Sequence, residues 1–422
     1  MARLAPVAVV GAGVAGLTLT RHLARRGRSV VCLDSLRHRP ERGLGLWGRS
    51  QAVLASLGLR PLLDDASRTL RIPAAAYRSI DGAWLSTSSD TAANRVRVCS
   101  LRESHLLAAL EEGLPDGSVR RGVEVVDADI SEDGVSLTLS DGSRMDATAV
   151  VAADGARSAV RRLAFGSNSE ATDSGVVVHS GMLLPGEPHL EGDSAVTRPF
   201  ETLARGRRFA MVPLAGGGAF WFATRHAPPA DRTEGLGEAA VREVMSDFDG
   251  WHKPIPRVLQ HAAAATSSSA STDAQGLRWE RVYEAPRLGS WHAGRAVLLG
   301  DAAHGMPHNL AQGAAAAIEG AYLLGEALER VLDSPSRAEF EAAFAEYRAA
   351  HEPRIRQCRL TTAFTAALAL PASPTTEAVR NAMRFVPQPL NGAVFDAALA
   401  LSLGDLPSPT RGRWPLSTVG TL

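Results

Sequence analysis

A short apolar run that ends in a glycine-rich turn opens this chain and leaves few folds available to it. Val7-Ala8-Val9-Val10 leads into Gly11-Ala12-Gly13-Val14-Ala15-Gly16. A helical pattern follows at once, with Leu17, Leu19, Leu23 and Ala24 set among Thr20, Arg21, His22, Arg25 and Arg26. Gly27 stops it, and a second β-rich run, Ser29-Val30-Val31-Cys32-Leu33, ends at Asp34. Strand, glycine turn, helix, strand and acid, in that order, make a dinucleotide-binding unit. Gly11 permits a tight turn, Gly13 lets a pyrophosphate reach bare backbone, and Gly16 lets the helix pack on the strand. The helix N-terminus adds unpaired N–H groups and a partial positive charge. Gly11, Gly13, Ala15 and Gly16 are the candidate contacts. Asp34, eighteen residues past Gly16, stands where an acid accepts hydrogen bonds from a ribose. This stretch alone does not say which dinucleotide binds.

Bulk properties exclude several functions. The 422 residues suffice for two or three domains, and 45% are apolar, enough for a sizeable core. Lys+Arg and Asp+Glu balance at 45 each, with no basic block, which argues against nucleic acid and anionic membranes as partners. Cys32, Cys99 and Cys358 are far apart and lack metal-ligand spacing, so they read as free thiols of a reducing cytoplasm, and no metal site is expected. No run approaches the ~18 apolar residues of a membrane span.

Along the chain, a polar, basic loop from Ser35 to Arg42 precedes Gly43-Leu44-Gly45-Leu46-Trp47-Gly48-Arg49 and a helix from Ser50 to Leu57. Ile72 to Leu85 reads as a β excursion, Val96 to Cys99 as a short strand, and Leu101 to Leu110 as a helix. Val123–Ile130, Val135–Leu139 and Ala147–Ala153 read as strands. The last is continuously apolar, as in a buried parallel strand, and ends at Asp154-Gly155. Alternating segments between about 170 and 290 predict a second, mostly antiparallel sheet. A helix from Leu236 to Phe248 and a polar loop from Thr266 to Thr272 interrupt it. Parallel-sheet character returns at Arg295-Ala296-Val297-Leu298-Leu299-Gly300-Asp301. Helices follow over Gln312–Leu332 and Arg337–Glu352, the second stopped by Pro353. The expected class is α/β: a discontinuous Rossmann-like domain (1–170 and 291–350), an inserted β-sheet substrate domain (171–290), and a C-terminal helical region and tail (351–422).

Three separated blocks now stand out: the glycine-rich turn, Val150-Val151-Ala152-Ala153-Asp154-Gly155-Ala156-Arg157-Ser158, and Gly300-Asp301-Ala302-Ala303-His304 with Gln312-Gly313. In these the chain resembles the single-component FAD-dependent monooxygenases of the p-hydroxybenzoate hydroxylase fold, over roughly residues 5 to 360. The resemblance implies that FAD is held in extended form, with the first block at its AMP end. It places Asp34 at the ribose, where the family more often has Glu. It places Arg102 and Arg42 near the phosphates and sugar, Asp154 at the family's Asp-Gly pair, and Gly300 and Asp301 at the ribityl chain. Backbone N–H groups of Gln312, Gly313 and Ala314 are implied at the pyrimidine edge of the flavin.

The activity implied is hydroxylation or epoxidation of an electron-rich aromatic or alkene substrate in secondary metabolism, such as antibiotic biosynthesis. NADPH or NADH would reduce the flavin, and molecular oxygen would be transferred from a flavin hydroperoxide. No side-chain nucleophile is required, so no catalytic dyad is nominated. Candidate substrate contacts are Trp47, Arg49, Met211, Phe220 or Trp221, Phe222, Arg225 and His308. Alternation does not say which face of the second sheet looks inward. Two departures from the family pattern stand near the last block: Gly305 and His308 replace prolines, with Pro307 one place early, and Glu319-Gly320 lacks a second acid. A halogenase is the less favoured relative, because there is no Trp-x-Trp-x-Ile-Pro stretch and Lys253 is the only lysine. A Baeyer–Villiger enzyme on the same scaffold and an oxidase are further alternatives, as is a non-catalytic flavin-binding protein, against which stand the full three-block set and the complete second domain. A cytoplasmic monomer or homodimer acting on a small molecule completes the reading.

Overall fold

The computed structural model describes residues 5–396, apart from 73–75, 89–96, 132–133, 187–195, 197, 228–237, 268–277, 308, 310, 334–335, 371–372, 388–389, 391 and 394–395. Its centre is a six-stranded sheet in the order His292–Ala293, Ala296–Leu298, Ala149–Ala152, Val7–Val10, Val30–Asp34, Val119–Arg121. All pairings are parallel except that of the His292–Ala293 edge. Val7, Val9, Val150, Val151, Val297 and Leu298 are fully buried, which is why these strands read as unbroken apolar runs. Because Val10, Ala152 and Leu298 end neighbouring parallel strands, their following loops all emerge at one edge of the sheet.

Helix Val14–Arg25 packs against helix Gly313–Glu329 on this core. Val125–Ile130, Val135–Leu139 and Arg144–Ala147 form a separate antiparallel sheet, in which Val135, Leu137 and Leu139 turn inward. A third small sheet joins Gly43–Leu46, Cys99–Arg102 and Thr69–Arg71.

The second large sheet has seven strands, in the order Arg278–Glu284, Thr172–Leu183, Ala219–His226, Arg207–Pro213, Phe200–Ala204, Ala76–Arg78, Trp84–Thr87. Its last two strands come from the β excursion before residue 90, so the 171–290 boundary is too narrow. Phe200–Ala204 pairs parallel with Ala76–Arg78, a contact that no local pattern announces. Helices Glu238–Asp247 and Ile255–Ser267 cover one face, where Phe209, Met211, Trp221, Phe248, Ile255 and Val258 pack together. The second helix takes in Thr266 and Ser267 of the expected polar loop; the rest of that loop lies outside the described residues.

Three other expectations are corrected. Arg102 ends a strand and stands as N-cap to helix Glu103–Glu111, rather than lying within the helix. The helix after Trp47 runs Gly48–Leu54 and then loosens around Gly58, whose φ is +86°. Pro353 does not stop its helix: Arg337–Ala369 is continuous over 33 residues, crossing the expected boundary at 350. Pro353 and Ala349 both face solvent, so water can take the carbonyl that lost its N–H partner. A Ser336–Glu339 capping box starts this helix. Among the described residues, no helix is long and apolar enough to cross a membrane.

Candidate active site

The glycines show how closely the three sequence blocks meet. A Cβ on Gly11 would lie 2.3 Å from the Ala153 carbonyl oxygen, which joins the first block to the second. One on Gly300 would lie 2.8 Å from Ala15, joining the third to the first, and one on Gly305 would lie 3.0 Å from Ala156. A Cβ on Gly16 would lie 1.9 Å from the Gly11 carbonyl oxygen, so helix and turn pack too closely for a side chain there. At Gly13, by contrast, the nearest atom is the tip of Arg39 at 3.8 Å, leaving its backbone open. Added Cβ atoms at Gly155 and Gly313 meet nothing within 4 Å. Tight packing behind the turn with open backbone in front is the cradle that a dinucleotide needs, and FAD fits it.

The carboxylate of Asp34 is buried and accepts from the backbone N–H of Ala12 (3.2 Å) and Leu36 (3.1 Å). It also pairs with Arg39 at 2.6 Å. Asp34 is thus tied to the turn, and Arg39, which sequence reasoning passed over, is the cation beside it. Five residues past the acid, within a basic loop, was the available signal. Arg42 pairs with Glu280 (3.2 Å) and Glu103 (3.8 Å), linking the cradle to the edge of the second sheet. The side chain of Arg102 reaches toward Gly218.

Asp154 accepts from the backbone N–H of Ala159 (2.8 Å) and Val160 (3.2 Å), capping the next helix with one oxygen. Its other oxygen is buried without a hydrogen bond. Burial raises its pKa above the usual carboxylate range, against the pull of hydrogen bonds from Ser158, Val160 and Ala159. Asp301 is exposed at the start of a short helix. Gln312 is the buried N-cap of Gly313–Glu329, where Ala314 stands in the first turn. Its side-chain oxygen accepts from the Cys358 thiol at 2.9 Å, and its amide nitrogen is buried without a partner. Burial pushes the thiol up to about 11, so Cys358 acts as a neutral donor.

Strand Gly43–Leu46 separates this loop from the second sheet. A Cβ on Gly45 would touch Ala311 at 3.1 Å, and one on Gly43 would overlap the Phe220 side chain at 2.5 Å. Phe220 therefore faces the dinucleotide domain. Register puts Phe222, Thr224, Arg208 and Val212 on the same face. Met211 and Arg225 fall on the opposite face, contrary to expectation. Met211 packs with Trp221 under the two covering helices, and Arg225 pairs with Glu243 (2.7 Å) and Asp247 (3.6 Å) there. Trp47 is buried at the N-terminus of its helix. Arg49 lies 3.6 Å from Oε2 of buried Glu319, and Arg354 lies 3.4 Å from the same oxygen. His308 lies outside the described residues.

A cavity of about 470 Å³ opens between the inward sheet face, the loop after His304 and the end of the long helix. Val176, Val178, Val282, Ala366 and Leu370 make apolar walls, while Arg208, Thr224, Asn309 and Glu284 supply polar groups. The buried guanidinium of Arg208 is held by Glu201 (3.3 Å) and Thr224 (3.4 Å) and lies 5.3 Å from the Phe222 ring centroid. Sequence reasoning chose Arg225 and missed Arg208, because both faces of this sheet are covered and strand parity had no solvent side to fix it.

Comparison with known proteins agrees with this geometry. A family model described as an FAD binding domain matches residues 4–357. The chain is 29% identical over 354 residues to an aurachin C monooxygenase/isomerase from Stigmatella aurantiaca, covering 82% of this chain and 85% of the relative. It is 30% identical over 391 residues to a 2-heptyl-3-hydroxy-4(1H)-quinolone synthase from Pseudomonas aeruginosa, covering 90% and 94%. Klebsiella pneumoniae HpxO, solved with FAD and uric acid, superposes with a TM-score of 0.78 at 22% identity, over 94% of this chain and 98% of that one.

Proposed function

Because this chain belongs to the FAD-binding family of flavoprotein monooxygenases, we propose that it hydroxylates an electron-rich aromatic ring bearing an apolar arm, using NADPH or NADH. The carrying observation is the cavity: apolar along most of its wall, with one buried, fixed guanidinium in it. The two relatives at 29–30% identity are named for aurachin C and for an alkylated hydroxyquinolone, and an alkyl arm suits walls of Val176, Val178, Val282 and Leu370.

When bound, FAD supplies oxygen activation and transfer. The protein supplies position and dryness. Gly11, Gly13, Ala15 and Gly16 would hold the pyrophosphate, with Asp34 and Arg39 at the adenosine side. Arg42, Arg102, Asp154, Gly300 and Asp301 would follow along the extended cofactor. Backbone N–H groups of Gln312, Gly313 and Ala314 stand at the start of a 17-residue helix, and its dipole would stabilise negative charge on a flavin ring bound there. Arg208 would donate to a ring oxygen of the substrate, its orientation set by Glu201 and Thr224. Apolar walls keep water from the transfer step.

The test is turnover. Purified protein carrying FAD is offered NADPH or NADH with a panel of alkylquinolones and hydroxybenzoates. A productive ligand should accelerate reductant oxidation and yield a product one oxygen heavier. Arg208→Gln should raise its KM roughly 10- to 100-fold with a smaller change in kcat. Reductant oxidation that yields only hydrogen peroxide across the panel would refute the hydroxylase reading. A KM unmoved in the variant would refute the role of Arg208.

A further inference from the structure

Helices Val14–Arg25 and Gly313–Glu329 carry the two N-termini of the cofactor cradle, and their C-terminal ends meet on the far side of the domain. There His22 faces Glu326 and Glu329. We propose that these three residues form a site for one zinc-class divalent cation, which clamps the two helices together.

Geometry carries the proposal. His22 Nε2 lies 3.2 Å from Glu329 Oε1 and 3.6 Å from Glu326 Oε1. Donors bound to zinc at about 2.0–2.2 Å in tetrahedral array stand roughly 3.2–3.6 Å from one another. All three donor atoms lie within 4.8 Å of each other. Glu326 and Glu329, three apart on one helix, share a face, and the histidine comes from the helix opposite.

A second observation points to a ligand. His22 is 1% exposed, yet neither ring nitrogen has a hydrogen bond, and Glu329 Oε1 is buried without one. Gly325 makes this approach possible, since a Cβ there would fall 2.5 Å from the imidazole. Tyr322 holds the ring edge-on at 5.3 Å.

Arg26 competes for the same carboxylates, at 3.0 Å from Glu326 Oε1 and in contact with Glu329 Oε2. It is half exposed, so its guanidinium can turn into solvent when a cation takes the carboxylates. One nitrogen and two carboxylate donors suit zinc better than calcium or magnesium, which prefer all-oxygen shells.

The test is calorimetric titration of zinc chloride into the FAD-loaded full chain, freed of metal by a chelator, with parallel thermal melts. One saturable site with a micromolar or tighter dissociation constant is expected, together with a rise in Tm. Glu326→Gln, at a partly exposed position, should weaken binding about tenfold or more, and His22→Gln should abolish it. Circular dichroism and FAD content show that the variants are folded. Absence of saturable uptake overturns the proposal, as does unchanged zinc binding in both variants. Calcium or magnesium binding as tightly as zinc would also overturn it, since that is the behaviour of a plain acidic patch.

Discussion

One methyl group at position 16 would test the cofactor cradle most sharply. Its carbon would lie 1.9 Å from the Gly11 carbonyl oxygen, a backbone atom that a side-chain rotation cannot clear. Gly16→Ala should therefore push the Val14–Arg25 helix off its strand and lower stability by about 1–3 kcal/mol. Purified variant should retain little FAD, read from the flavin absorbance per mole of protein. Full occupancy would show that the helix can shift without opening the cradle. Gly16 was legible in the sequence because the contact it makes is local and its spacing is fixed by the turn. Arg208 was not. Its position depends on strand parity across a sheet covered on both sides, and alternation without a solvent face carries no sign. Asp154 lies between these cases: the Asp-Gly pair was visible, while its helix-capping bonds to Ala159 and Val160 appear only in three dimensions.

Elements that obey local rules were readable, and those held by tertiary contacts were not. Buried parallel strands announce themselves as apolar runs. The Ala76–Arg78 strand, three residues long, exists because Phe200–Ala204 lies beside it. The Arg337–Ala369 helix overrides a local stop signal, since Phe340, Phe344, Tyr347, Ile355 and Cys358 are buried on both sides of Pro353. Packing on either side holds the chain helical while the cost of the missing N–H falls on the wet face. Pro353→Ala restores a donor to the Ala349 carbonyl and should stabilise the protein by up to about 1–3 kcal/mol, seen as a raised Tm in far-ultraviolet circular dichroism. A lowered Tm would mean that the proline ring itself helps to seat the neighbouring His351 and Arg354, both buried, against the core.

At the scale of the whole molecule, buried histidines tie stability to pH. Burial pushes His22 down to about 4 and His179 and His304 down to about 3, and His351 falls well below its ordinary value for the same reason. Arg26, Arg225 and Arg359 add to the effect on the first three. In the unfolded chain each protonates near its ordinary value of 6.5. As pH falls below that, the unfolded state gains protons that the native state refuses, so stability drops, by up to about 1.4 kcal/mol per pH unit for each histidine. Asp154, Glu103 and Glu329 oppose this, since burial raises their native pKa values and makes the folded state the better proton acceptor. Their opposition builds as pH falls through each raised native pKa and is complete near about pH 4, where the unfolded carboxylates titrate; the four histidines outweigh it above that. Tm should therefore fall steeply between about pH 7 and pH 5, and His179→Gln should make that fall shallower by removing one of the refused protons. His179 lies in the second sheet and His304 behind the cofactor loop, so both units feel the same acid limit. A Tm independent of pH across that window would show that these rings find hydrogen-bond partners in solution.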